Sequence, residues 1–231
     1  MSLRRVLKDE SGMTLVELLV ATATGTVVMA MVTAVLITTM HVSNRVASHV
    51  EANQLARLTM GKVIDQLHSS CVAYDYAPIK ENSNGSTLIF THQTGSAVQP
   101  VPVKSEIVFS GGKLTQADYP STGGSAPNWT FATSPATTTT LTTNVSQIGS
   151  TPIFRYYGYN TSGAISSTPL AEPLNKENAE RAVQVSVAFG AGPRTLRTAN
   201  DSGAVTPIQS SALLRLTPAS FEAGPENSPC Q

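Results

Sequence analysis

A chain of 231 residues with 41% hydrophobic and 13% charged side chains can bury a core of one or two domains and is not a disordered polymer. Lys+Arg and Asp+Glu stand at 15 each, so no basic excess points to nucleic acid and no acidic block points to a solvating tail. Thr, Ser, Gly and Pro crowd the chain after about residue 82, a composition of short strands and turns, and the two ends therefore differ in kind.

Arg4, Arg5 and Lys8 precede a run without charge from Leu18 to Met40, "LLVATATGTVVMAMVTAVLITTM". At about 1.5 Å per residue such a helix crosses the roughly 30 Å of a bilayer's hydrocarbon. The basic residues before it keep the N-terminus cytoplasmic and send the rest of the chain outside. Its Ala, Gly and Thr content suits close approach of other helices. Cleavage as an ordinary secretory signal at "ATA", Ala21 to Ala23, would leave a second apolar run, Val27 to Met40, on the exported product. Glu17 is a lone carboxylate just before the uncharged run, where a charge costs several kcal/mol and calls for a partner or a function. Snorkelling to the interface is the plain alternative for it.

The charged leader ending in Gly12, followed by "MTLVELLVA", resembles the type IV prepilin signal, with its G-[FM]-T-L-x-E pattern. Met13 stands where that family more often has Phe. The resemblance implies that a prepilin peptidase cuts between Gly12 and Met13 and methylates the new amine, with Thr14 and Leu15 as recognition residues. It implies that Glu17 pairs with the terminal amine of a neighbouring subunit and sets register. The expected division is a leader over 1–12, a transmembrane and filament-core helix over 13–40, an amphipathic half over 41–71, and a β-rich extracytoplasmic head over 72–231. The fold class expected is α+β and pilin-like, a long N-terminal helix on an antiparallel sheet. The implied partners are other pilin or pseudopilin subunits, the peptidase, an inner-membrane assembly platform, and membrane lipid before assembly.

No proline occurs from Met13 to Ala77, so the helix can continue past Met40. There it turns amphipathic: Val42, Val46 and Val50 recur every four residues, then Leu55, Leu58, Val63, Ile64 and Leu67, with charged residues between. This half is expected to rest one face on the head, ending near "HSSC", His68 to Cys71. Strand-like runs follow from Ser86, Ser105, Pro152, Arg181 and Ser211, the second a hairpin turning at Gly111-Gly112. "AVQVSVAF" sets Val183, Val185, Val187 and Phe189 on one face. "TGGSAPNWTFATSPATTTTLTTN" lacks an apolar period and reads as surface loop, with Thr137 to Thr140 either flexible or an edge strand. Glu172, Glu177 and Glu180 read as a solvated polar connector.

The order of these runs resembles the minor pilins related to PilW and the J-type pseudopilins of secretion systems. That resemblance implies a subunit that primes or joins a type IV pilus or a type II secretion-like pseudopilus. A major pilin, and a singly anchored adhesive or receptor module, are the rival readings.

Cys71 and Cys230 are too few for a zinc site. Outside the cytoplasm they would close a loop of about 160 residues, worth roughly 5 kcal/mol by chain entropy; two unpaired thiols is the other reading. No hydrolase, zinc-protease or nucleotide motif is present: "FSGGKL" lacks the spacing of a phosphate loop, and Pro193 spoils "FGAGPR" as a dinucleotide fingerprint. His41, His49 and His68 lack the i, i+4 spacing of a helical metal site. No cofactor and no enzymatic activity are expected. In "RYYGY", Arg155 to Tyr159, alternation sends at least one tyrosine to the core and leaves an aromatic contact surface as the functional alternative.

Overall fold

The computed structural model describes residues 12–71, 77–96, 99–125, 128–193 and 205–214. Two compact units are present, Met1–Ala47 and Ser48–Gln231. Helix α1, Leu15–His68, contains the whole proline-free apolar and amphipathic stretch. Among the described residues it is the helix long and apolar enough to cross a membrane, by length and composition. Its large side chains from Leu15 to Met40 are exposed, and burial begins only at Ala56, continuing through Thr59, Met60, Val63 and Leu67. Each threonine between Leu18 and Met40 donates its hydroxyl to a carbonyl one turn back, as Thr33 does to Met29 and Thr39 to Val35, both at 2.8 Å.

The second unit is α+β, with α1 packed on antiparallel sheets. One sheet is built from β1 (Thr87–Ser96), β2 (Gln99–Ser110), β3 (Lys113–Ser125), β4 (Asn128–Phe131) and β5 (Thr137–Thr143). β1, β2 and β3 form a meander; the first half of β3 then pairs with β5 and its second half with β4. The β2–β3 hairpin turns at Gly111 and Gly112, whose φ values of 55° and 73° fit the two-residue turn that follows the strands' twist. The other sheet centres on β8 (Gln184–Ala191). β9 (Thr206–Leu213) runs along one side of it, and β6 (Val145–Ser146) and β7 (Phe154–Tyr157) share the other. A short α2, Lys176–Arg181, starts where Asn175 Oδ1 accepts the Asn178 amide at 2.8 Å.

A single core joins these parts: Met60, Val63 and Leu67 from α1, Phe90 and Ile107 from the first sheet, Phe154, Tyr156, Val185 and Phe189 from the second, and Ala179 from α2. Burial along β8 runs on both faces, so Ser186 and Ala188 are enclosed as well as the alternating valines.

Several expectations need correction. Val42, Val46 and Val50 are exposed, and so is Leu58; the face that meets the sheets starts at Ala56, and a four-residue spacing alone does not say which stripe is covered. The Thr-rich segment holds two strands, β4 and β5, because β3 is long enough to supply an edge to both. Threonine is β-branched and fits a strand without an apolar period, and only Leu141 and Thr142 of β5 turn toward the core. Two sheets stand where one was expected. Glu177 and Glu180 lie on α2, where Glu177 makes an exposed i, i+4 pair with Arg181 at 3.8 Å. The last strand begins at Thr206, five residues before Ser211.

Candidate functional site

Gly12 to Glu17 form the entry to α1. Thr14 is the N-cap: its carbonyl accepts the Leu18 amide at 3.1 Å and its Oγ1 accepts the Glu17 amide at 3.2 Å. With Glu17 three residues on, "TLVE" is the sequence of a capping box, a signal that explains Thr14 locally and was missed in the membrane reading. An acidic residue in the first turn also complements the helix dipole. Met13 and Glu17 stand at i and i+4 and both are exposed. Leu15 is exposed in the first turn.

Among the described residues, a Cβ placed at Gly12 meets nothing within 4 Å, and the residue has no positive φ; the same open surroundings hold at Gly25 within the apolar half.

Cys71 is disulfide-bonded and 3% exposed, with Trp129 and Phe131 against it. Its backbone is held to β1: the Cys71 amide donates to the Thr91 carbonyl at 3.1 Å, and Thr91 Oγ1 donates to the Cys71 carbonyl at 2.8 Å. Cys230 lies outside the described residues, as do Arg4, Arg5 and Lys8. His41, His49 and His68 are not brought together, and no group of metal-ligating side chains occurs among the described residues.

A buried polar row crosses the first sheet. Register sets His92, Ser105 and Asp118 on neighbouring strands. Asp118 Oδ1 accepts the Ser105 hydroxyl at 2.6 Å and the Gln116 amide at 2.7 Å. Ser105 Oγ, having given its proton to Asp118, accepts from His92 Nε2 at 2.8 Å, which assigns the imidazole tautomer. Burial pushes the His92 pKa down, with Lys62 adding to this and Asp118 opposing it. Serine, histidine and aspartate meet here, but Ser105 is fully buried and its proton faces the carboxylate, so the imidazole does not activate it as a nucleophile. The row is a structural tie, legible in sequence only through the strand alternation that pairs His92 with the Phe90 face.

Tyr156 is the core tyrosine of "RYYGY", its hydroxyl donating to the carbonyls of Thr87 at 2.9 Å and Asn84 at 3.2 Å. Burial raises its pKa well above the ordinary value, Glu172 adding to the rise.

No family model matches this chain, and no curated protein matches it.

Proposed function

We propose that the chain is a pilin-like subunit, most like a minor pilin or pseudopilin, cut between Gly12 and Met13 and assembled through the apolar half of α1. The carrying observation is the division of α1: among the described residues its large apolar side chains from Leu15 to Met40 are exposed, while residues from Ala56 onward serve the core of the second unit. A helix with an exposed apolar half fits a span that first meets lipid and later other helices. The open surroundings of Gly12 among the described residues are compatible with recognition by a processing enzyme, and the order leader, Gly12, Thr14-Leu15, Glu17 supports the prepilin type. Once Met13 carries a free amine, Glu17 of one subunit and that amine of its neighbour are opposite charges in a low-dielectric place, which rewards insertion in register. The basic residues before the span favour a cytoplasmic N-terminus with the sheet-bearing unit outside.

Mass spectrometry of the protein recovered from the membrane or filament fraction tests this. The N-terminal peptide should begin at Met13 and carry one extra methyl group. An intact leader, or a start anywhere else, overturns the reading.

A further inference from the structure

Strand β7 sends Phe154 and Tyr156 into the core and turns Tyr157, half-buried, to the outer face of the second sheet. Register sets Tyr157, Gln184 and Leu213 in one row across that face, Ser186 and Ser211 in the next, and Gln209 beyond them. Ser186 is a short, buried side chain on the middle strand, while Tyr157, Gln184 and Gln209 around it are longer, so the face is hollowed above the serine. The hollow measures about 460 Å3, and Tyr157, Ser166, Gln184, Ser186, Gln209 and Ser211 are among the residues lining it. That volume lies within the roughly 300–1,000 Å3 usual for small-ligand sites.

No lining residue is charged, and each carries a hydroxyl or a carboxamide. Ser186 Oγ accepts from Arg155 Nη2 at 3.4 Å, and Ser166 is held to the Thr168 backbone. Among the described residues, the Tyr157 and Ser211 hydroxyls and the Gln184 and Gln209 carboxamides make no hydrogen bond within the chain. These unspent groups both donate and accept, as adjacent sugar hydroxyls do. Without a cation or a carboxylate, the lining has nothing to hold a phosphate, an acidic sugar or an ionic peptide side chain. An extended peptide would satisfy its backbone along a strand edge, whereas this hollow lies on a sheet face, where side chains stand. Tyr157 supplies an aromatic surface for the C–H face of a ring, and Leu213, 46% exposed in the same row, adds apolar surface at the margin.

We propose that this hollow binds a neutral saccharide, its hydroxyls on Gln184, Gln209 and Ser211 and one ring face against Tyr157. A β-linked glucan fits best, because its equatorial hydroxyls leave the ring faces as C–H surface. The site is independent of the assembly reading. Titration of the full chain, in micelles of a detergent without a sugar headgroup, with cellotetraose, trigalacturonate and a capped tetraserine peptide tests it. Cellotetraose should bind saturably and more tightly than the other two. Its affinity should stay within about twofold between about 50 and about 500 mM salt, since no charge pair contributes. Tyr157→Ala should weaken it about three- to tenfold, Tyr157→Phe should keep most of the binding, and Gln209→Ala should cost about two- to tenfold. Near-ultraviolet circular dichroism reports whether a variant keeps its packing; if Tyr157→Ala does not, Gln209→Ala, at an exposed position, carries the test. Absence of saturable binding, the acid or the peptide binding as tightly as cellotetraose, a steep loss of affinity with salt, or folded variants that bind like the parent would each overturn the proposal.

Discussion

Glu17 has two separable roles at the level of the single residue. As the third residue after the Thr14 cap it favours the start of α1; as a charge it is the proposed partner of a neighbour's amine. Glutamine keeps the capping capacity and removes the charge. Glu17→Gln should therefore leave helix content unchanged by circular dichroism while abolishing incorporation into filaments, and unchanged incorporation would refute the charge pairing. His92 makes a different kind of statement. Its neutral form is favoured in the fold, so below the ordinary imidazole value of 6.5 the unfolded chain takes up a proton that the folded chain resists. The contribution is fully present above that value and declines as pH falls through it. Denaturant midpoints measured from about pH 7.5 to about 5.5 should drop, and His92→Gln should flatten the slope at some cost in stability. Gly85 shows close approach: a Cβ there would lie 2.7 Å from the Pro152 side chain and 2.9 Å from Glu172 Oε2. Gly85→Ala should destabilise by about 1–3 kcal/mol in the same assay, the usual cost of overpacking.

Elements differed in how plainly the sequence announced them. The span of α1 was legible because the absence of proline from Met13 to Ala77 and the hydrophobic run are both long-range signals, and the β2–β3 hairpin because Gly111-Gly112 stands between alternating runs. β5 was half legible and β4 was hidden, since an edge strand with two wet faces has no period to read; its partner β3 decides it. α2 was hidden for another reason. Six residues carry too little periodicity, and Asn175 as a cap became meaningful only once its side chain was seen to accept the Asn178 amide. Of the candidate sites, Gly12 to Glu17 was legible as a linear motif, whereas the His92–Ser105–Asp118 row depends on the register between successive strands, which no linear spacing displays.

For the whole molecule, the crosslink at Cys71 matters more than any one contact around it. Removing a native disulfide costs about 2–5 kcal/mol, mainly by freeing the unfolded chain. Cys71→Ser should lower the unfolding midpoint accordingly, and a reducing agent should bring the parent protein to the same value without shifting the variant. The threonines of α1 carry a consequence on this scale too. Because each hydroxyl between Leu18 and Met40 is already satisfied by its own helix, the segment asks nothing of its surroundings in hydrogen bonds. On the proposed assembly reading, it would exchange acyl chains for the side chains of neighbours without breaking or making a polar contact within the segment, and the direction of that transfer would be left to packing and to Glu17.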